Sequence, residues 1–299
     1  MNTAIALFIF RRPEATALVW EQIRQVKPPK LFIIADGARS GMAGEEKQVQ
    51  EARRITEGVD WECEVVRDYS KENLGTHHRI ATGLNRLFAE VEEAIILEDD
   101  CLPHPSFFRY CEELLERYRT NRQVMAISGS NITGDLTKAG ESYLFSRNPS
   151  NWGWASWRRA WSHYDAELES WRDRKRRGAI LSKHPELKRF LHRITGEVLR
   201  EEIQAWDVRW LLTILDRDGL VAIPKVNLVE HLETGAGATH VSSGQLSQKG
   251  EEMQFPLIHP DKIERHLQFD RHNARRVWDV LPFGERLIRR LKIWMGLWR

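Results

Sequence analysis

Cysteine is scarce in this sequence: Cys63, Cys101 and Cys111 are the three among 299 residues, and none belongs to a CxxC pair. Three cysteines are too few for a disulfide framework, so we expect an ordinary hydrophobic core and a reducing compartment. No apolar run has the length that a membrane-spanning helix needs. The apolar residues 4–10 form a short run without a basic leader, which predicts a buried strand rather than a signal peptide.

An excess of charge of one sign is also missing. Lys and Arg total 45 and Asp and Glu total 43, which gives a formal net charge of +2. A nucleic-acid coat protein would show a larger imbalance, so we expect no nucleic-acid partner. The sequence contains no GxGxxG and no Walker-type loop. Hydrophobic residues make up 41% of the chain, and together with the glycines this composition is that of a globular protein.

Strand and helix signals alternate over the first hundred residues. Apolar runs at 5–10, 31–35, 63–66 and 94–97 predict strands, and helical periodicity separates them. Near-continuous apolar strands with helices between them indicate a mostly parallel, Rossmann-like α/β sheet covered on both faces. Such sheets bind ligands beyond the carboxyl ends of their strands, so the residues that follow each strand are candidate site residues.

The second half of the chain carries weaker signals. Its periodicity predicts helices over 105–119 and 185–210 and strands over 124–128 and 220–223. Residues 227–250 are rich in glycine, serine and threonine, which predicts a loop long enough to act as a lid.

Three consecutive carboxylates, Glu98, Asp99 and Asp100, follow the fourth predicted strand directly. They repel one another unless a cation or hydrogen-bond donors compensate their charge. Oxygen ligands of this kind suit Mg²⁺ or Mn²⁺, which bind through one or two carboxylates together with substrate phosphates. The alternative interpretation is a solvated strand end with an aspartate that caps a helix.

Asp36 and Arg12 also follow predicted strands. Asp36 has the chemistry to accept a hydrogen bond from a base or a ribose, although the Asp-Gly pair is equally typical of a turn. Arg12 has the chemistry to hold a phosphate through two hydrogen bonds. A surface arginine at a helix start is the alternative, and Arg11 competes for the same role.

Tryptophan is abundant: the chain has 12. Trp154, Trp157 and Trp161 are spaced i, i+3, i+7, which predicts a helical core stripe. Trp152 precedes a glycine, where the backbone can approach a ligand, and an exposed ring there would stack on a sugar.

Asp207 lies between two tryptophans, Trp206 and Trp210. An apolar setting raises the pKa of an aspartate and makes it a better general base at neutral pH. The alternative interpretation is an aspartate paired with Arg209 or Arg200. Among the histidines, His240 is the better candidate because it lies in the predicted loop.

In this order, these features resemble the GT-A class of nucleotide-sugar glycosyltransferases over residues 4–245. The bacterial family-2-like enzymes are the nearest relatives, and the N-acetylglucosaminyltransferase I family is a more distant one. The resemblance implies that Asp100 holds the metal, that Arg12 contacts the phosphates and that Asp36 contacts the uracil. It also places Glu98 and Asp99 near the donor ribose or sugar.

On the acceptor side, the resemblance implies that Asp207 is the base and that Trp152, Trp154 and Trp206 hold the acceptor. His240 matches a histidine in the loop that closes over the diphosphate. The sequence departs from the family where Arg11 replaces an asparagine, and where Glu230 to Gly235 replace an Asn-x-Gly before the loop.

The implied activity is a metal-dependent, inverting transfer of a sugar from a nucleoside diphosphate, UDP, to a hydroxyl of a glycan or glycolipid. Mn²⁺ or Mg²⁺ is the implied cofactor. Two alternatives stay open. One is a nucleotidyltransferase that makes nucleotide sugars, which would normally show a glycine-rich basic loop after the first strand. The other is a non-catalytic sugar-binding protein.

We expect three parts in the chain: a nucleotide-sugar-binding part at 1–128, an acceptor-binding and catalytic part of the same domain at 129–260, and a helical tail at 261–299. Residues 286–299 hold five basic residues and no acid, interleaved with tryptophan and leucine. This pattern predicts an anchor on an anionic membrane surface, and equally a helix packed on protein. The expected location is cytoplasmic, peripheral on the inner face of the membrane.

Overall fold

The computed structural model describes residues 1–138, 140–232 and 248–277. The strands are β1 (Ala4–Ile9), β2 (Lys30–Ala35), β3 (Glu64–Tyr69), β4 (Glu93–Glu98), β5 (Cys101–Pro103), β6 (Val124–Ser128), β7 (Tyr143–Ser146), β8 (Trp154–Trp157), β9 (Leu220–Pro224) and β10 (Val229–His231). The helices are α1 (Pro13–Val26), α2 (Glu45–Ile55), α3 (Gly75–Glu90), α4 (Pro105–Tyr118), α5 (Arg158–Trp161), α6 (Glu169–Arg172), α7 (Arg174–Ser182), α8 (Lys188–Leu199), α9 (Trp206–Asp216) and α10 (Leu267–Val277).

Eight of these strands form one sheet in the order β3-β2-β1-β4-β8-β6-β9-β7. The neighbours among β1 to β4 pair in parallel, with Ile5 opposite both Leu31 and Ile95. The pair β6 and β9 is also parallel, whereas β8 and β7 run antiparallel to their neighbours. A mostly parallel α/β sheet flanked by helices is therefore confirmed.

Parallel pairing brings the strand ends together on one side of the sheet. β1 to β4 all end there, and β6 ends there too because Ser128 lies opposite Trp154, which lies opposite Ile96 of β4. We call this side the carboxyl edge and the other side the amino edge. Every polar residue that follows β1, β2, β4 or β6 therefore lies at one edge.

Helix α1 shows why the sheet is covered. Pro13 occupies its first turn, where a missing N–H costs nothing. Ala15, Val19 and Ile23 recur every four residues and are buried, so one face of the helix packs on the sheet. Helix α4 covers the same face, and α3 and α9 cover the other.

The tryptophan stripe was predicted wrongly. Trp154 and Trp157 are on strand β8 and not on a helix, and an interval of three residues on a strand points the two side chains to opposite faces. Trp154 joins the core cluster beneath α3 and α9, and Trp157 joins the cluster beneath α1 and α4. Trp161, in α5, packs with Trp154.

The helix predicted over residues 185–210 is in fact two helices, α8 and α9. Glu201, between them, has a φ of 60°, which ends α8 because an α-helix needs a negative φ. Strands β5, β7 and β10 were not predicted. Each is three or four residues long and is defined by partners distant in the sequence.

Two predicted features, His240 and residues 286–299, lie outside the described residues. Among the helices of the described ranges, none combines the length and the apolar content needed to cross a membrane. The single large sheet contains strands from both 1–128 and 129–260, and the three-part division of the chain stays a prediction.

Gly129 lies where β6 leaves the sheet, and its lack of a side chain lets three segments meet. A Cβ there would lie 2.5 Å from the Phe107 ring, 2.7 Å from Val229 and 2.8 Å from the Gly153 carbonyl oxygen. We expect Gly129→Ala to lower the free energy of unfolding by about 1–3 kcal/mol through this overlap. Urea denaturation measures the change.

Gly178 in α7 provides the matched control, because a Cβ there would meet nothing within 4 Å. Gly178→Ala should raise stability by about 0.5–1 kcal/mol, since alanine suits a helix interior better than glycine. Equal effects of the two substitutions would contradict the packing argument.

Candidate active site

A buried ionic link joins the ends of β1 and β4. Asp99 accepts hydrogen bonds from the Phe10 backbone N–H (2.8 Å) and from Arg12 Nη1 (2.9 Å). The same Arg12 nitrogen donates to Asp100 Oδ2 at 2.7 Å. Arg12 therefore compensates two of the three consecutive carboxylates at the end of β4.

Asp99 is 3% exposed and points into the protein. Burial, followed by the charge of Asp100, raises the pKa of Asp99 to about 6. With both of its oxygens engaged by β1 and Arg12, Asp99 holds the two strand ends together. The contact of Asp99 with the donor ribose or sugar stays a prediction. The hydrogen bonds from Phe10 and Arg12 do not favour it, because they occupy both carboxylate oxygens.

Asp100 keeps part of its carboxylate exposed. Its Oδ2 lies 3.6 Å from Nε2 of His231, and its backbone oxygen accepts a hydrogen bond from Leu232. Burial opposes ionisation here, but His231 and Arg12 together hold the pKa of Asp100 below its usual value. Asp100 is thus an ionised carboxylate held between Arg12 and His231.

His231 was not singled out in the sequence, where His240 was preferred. It reaches the site because β10 pairs antiparallel with β5, which places His231 opposite Cys101. Strand β5 begins directly after Asp100, so this short ladder fixes the histidine beside the carboxylate. The apolar Leu-Val before Glu230-His231 was the available signal for a strand.

Trp152 lies against His231, with ring centroids 4.7 Å apart and an angle of 32° between the planes. Its side chain is partly exposed, and the next residue, Gly153, has a φ of 62°. The left-handed backbone at Gly153 turns the chain into β8 and leaves Trp152 at the carboxyl edge. One aromatic surface therefore borders the Asp100 carboxylate.

The other two predicted acceptor-binding tryptophans are in the core. Trp154 and Trp206 are 1% and 5% exposed, and their rings stack at 5.8 Å. Side chains so enclosed reach no ligand in this conformation. Of the three, Trp152 is the one whose ring has surface to offer an acceptor.

Glu98 and Asp207 interact electrostatically. Burial raises the pKa of Glu98 well above its usual value, and the charges of Asp100, Asp99 and Asp207 raise it further. Asp207 is exposed in the first turn of α9, where its Oδ1 accepts a hydrogen bond from the Val208 N–H at 2.9 Å. The structure thus brings the carboxylate of α9 within electrostatic range of those after β4.

Asp36 has a structural task. Its two oxygens accept hydrogen bonds from the backbone N–H groups of Gly37, Leu74 and Gly75 and from the Asn73 side chain, at 2.9–3.1 Å. Those four donors fill the acceptor positions of a carboxylate. Asp36 therefore accepts hydrogen bonds from N–H groups at the start of α3. To contact a nucleotide base, it would have to release one of these donors.

Asp100 and His231 are the candidate ligands for a divalent cation. Within the described ranges, no group of three His, Cys, Asp or Glu side chains is arranged to hold a metal. Mg²⁺ commonly binds through one or two carboxylates and completes its shell with water and phosphate oxygens. Asp100 is such a carboxylate, and His231 would add an imidazole nitrogen, which lies 3.6 Å from the Asp100 Oδ2 that Arg12 also contacts.

No protein-family model and no curated protein matches the chain. A solved structure of UDP-glucose pyrophosphorylase complexed with UDP-glucose is 15% identical, with a TM-score of 0.29, and the match covers 49% of this chain and 63% of that chain. The chain thus spans less than two thirds of that protein.

Two further solved structures are similar to the chain. The match to apo UDP-glucose pyrophosphorylase has 11% identity and a TM-score of 0.37, and covers 77% of this chain and 93% of that chain. The match to 4-diphosphocytidyl-2C-methyl-D-erythritol synthase from Anaerococcus prevotii DSM 20548 has 11% identity and a TM-score of 0.39, and covers 74% and 88%. All of these TM-scores are below 0.5, so the activity proposed below rests on the geometry of the site.

Substituting Asp36 tests its structural task. In Asp36→Asn, the new amide nitrogen cannot accept, so buried N–H groups at the start of α3 lose an acceptor. We expect the free energy of unfolding to fall by about 1–3 kcal/mol. Urea denaturation measures it, with the exposed Asp261→Asn as control. Unchanged stability of Asp36→Asn would contradict the assignment.

Proposed function

We propose that the chain is a metal-dependent, inverting glycosyltransferase that moves a sugar from a nucleoside diphosphate, UDP, to a hydroxyl of a glycan or glycolipid. The observation that carries the proposal is the joint placement of Arg12, Asp100 and His231 at the carboxyl edge, with Asp207 facing them from α9. This arrangement combines the Arg12 guanidinium and the proposed cation ligands Asp100 and His231, where a diphosphate would depart, with a separate carboxylate on α9 that would act as a base.

A nucleoside diphosphate leaves readily only when its developing charge is neutralised. Asp100 and His231 would hold Mn²⁺ or Mg²⁺, which supplies Lewis-acid stabilisation of the phosphate oxygens. Arg12 is 28% exposed and is held in place by Asp99 and Asp100. Its fixed guanidinium adds positive charge at the same position. His240 remains a proposed contact of the diphosphate.

Asp207 is the proposed base. Glu98 retains its proton to higher pH than an ordinary carboxyl, so the exposed Asp207 is the better acceptor for the proton of an attacking hydroxyl. Attack on the anomeric carbon from the face opposite the diphosphate, in one displacement, inverts the configuration. Trp152 would position the acceptor through its ring.

A nucleotidyltransferase that makes nucleotide sugars is the second candidate, and the enzymes in the solved structures named above belong to that class. In this chain, Phe10, Arg11 and Arg12 alone separate β1 from α1, and none is glycine. A loop this short gives little room for a backbone cradle around a triphosphate. The geometry after β1 therefore favours the glycosyltransferase.

Substituting Asp100 tests the metal role. We expect UDP and Mn²⁺ together to raise the melting temperature of the wild-type protein more than either does alone. Asp100→Asn keeps the shape of the side chain and removes its charge, so the Mn²⁺-dependent part of the shift should disappear. Differential scanning fluorimetry measures it.

Asp60→Asn is the control for this measurement, because Asp60 is an exposed acid that pairs with Arg24. It should retain the full joint response. A joint response in Asp100→Asn equal to that of the wild type would remove Asp100 from the metal site. A wild-type protein that responds to no nucleotide would favour the non-catalytic sugar-binding alternative.

Substituting Asp207 tests the base. A panel of UDP-sugars with Mn²⁺ identifies the donor through release of UDP, with and without candidate acceptors. Asp207→Asn should lower transfer by about 10²–10⁴-fold and leave the joint UDP and Mn²⁺ response intact, because only proton removal is lost.

Glu202→Gln, an exposed substitution in the turn before α9, is the control and should transfer at the wild-type rate. Wild-type transfer by Asp207→Asn would refute the assignment of the base. Pyrophosphate release from UTP and a sugar 1-phosphate, in place of UDP release from UDP-sugars, would establish the nucleotidyltransferase.

A further inference from the structure

Helix α10 presents a row of basic side chains to solvent. Its exposed residues are Leu267, Gln268, Arg271, His272, Arg275 and Arg276. The one acid of the helix, Asp270, is fully buried and paired with Ser146 and Arg265. The outer face of α10 is therefore cationic.

The three arginines of this face have no close carboxylate. Within the described ranges, no acid lies within 4.0 Å of Arg271, Arg275 or Arg276. Exposed ion pairs are common elsewhere on the surface, as between Arg200 and Glu202. Uncompensated like charges on one helix face repel one another, and an anionic partner would remove that cost.

The path of α10 leads to the carboxyl edge. Its first turn contacts the end of β7 near the amino edge, where Asp270 accepts a hydrogen bond from Ser146, which lies opposite Val221 at the start of β9. One turn later, Asn273 accepts a hydrogen bond from Thr133, in the loop that follows β6 at the carboxyl edge. The basic face thus ends on the side of the protein that carries Asp100 and Asp207.

The sequence continues this character beyond α10. After Val277, the last described residue, come residues 278–299, of which 286–299 carry five basic residues, no acid and eight large apolar residues. Basic residues interleaved with tryptophan and leucine are typical of segments that bind a lipid surface. The exposed Leu267 places an apolar side chain on α10 as well.

We propose that the basic face of α10 docks on an anionic membrane surface and turns the carboxyl edge toward it. The inference rests on the proposed glycosyltransferase activity. It implies that the acceptor of the sugar is a molecule attached to a lipid. A cation near an anionic lipid surface favours the bound state about fivefold, so three arginines contribute about 100-fold. Salt weakens this attraction because it is electrostatic.

Helix α7 offers a matched control patch. Arg172, Arg174 and Lys175 are three exposed basic residues in α6 and α7. The neighbouring Arg176 pairs with Asp216, just before β9 begins, which places this patch at the amino edge. The three basic residues of each patch carry equal charge, although the exposed Asp173 lies within the control patch. The control patch lies at the amino edge, whereas α10 begins near that edge and runs toward the carboxyl edge.

The experiment is sedimentation of the full chain with vesicles of phosphatidylcholine containing about 30% phosphatidylglycerol, and with vesicles of phosphatidylcholine alone. We expect binding to the anionic vesicles, weakened by salt. The triple substitution Arg271→Gln, Arg275→Gln, Arg276→Gln should weaken it at least tenfold, and Arg172→Gln, Arg174→Gln, Lys175→Gln should leave it unchanged.

Three results would overturn the proposal. They are an equal loss of vesicle binding in the two triple variants, no loss of binding in the α10 variant, and equal binding of the wild type to both kinds of vesicle. The joint UDP and Mn²⁺ response of the α10 variant reports that the site is intact, since those arginines lie outside it. Anionic-vesicle binding without any nucleotide response in the wild type would uphold the docking face and refute the glycosyltransferase.

Discussion

The hydrogen bonds of Asp99 hold the site together. One carboxylate joins the backbone at the end of β1 to the Arg12 guanidinium, and so fixes where α1 starts relative to β4. Because Arg12 also bonds Asp100, the position of the exposed carboxylate depends on the buried one. Loss of this link would leave a buried charge without a partner, which is far more costly than loss of an exposed ion pair.

The two short strands β5 and β10 complete what Asp99 begins. Their antiparallel register brings His231 from more than a hundred residues away to a position next to Asp100, and Trp152 packs on its ring. Gly129 and Gly153 let the neighbouring segments approach, because side chains at these positions would collide with Val229. The site is thus formed by segments that follow the strands of the large sheet and pack against the β5–β10 pair.

The sequence predicted β1, β2 and β4 and the acids at the end of β4, because buried parallel strands are continuous apolar runs, and it predicted β3 from a shorter apolar stretch. It failed where structure depends on partners distant in the chain. Trp154 and Trp157 repeat at a helical interval, yet pairing with β4 and β6 makes them a strand. Asp36 matches a ligand-binding position, but four protein donors occupy it, and no local pattern reveals such occupancy.

Opposite pKa shifts divide the work among the carboxylates. Burial and three neighbouring acids keep the proton on Glu98, while Arg12 and His231 keep Asp100 ionised. A proton on Glu98 would lower the negative charge at the carboxyl edge, and with it the repulsion of any anionic ligand there. A cation bound at Asp100 would further favour ionisation of Glu98, and the two events are therefore linked. Asp207, exposed on α9, is one of the acids whose charge raises the pKa of Glu98.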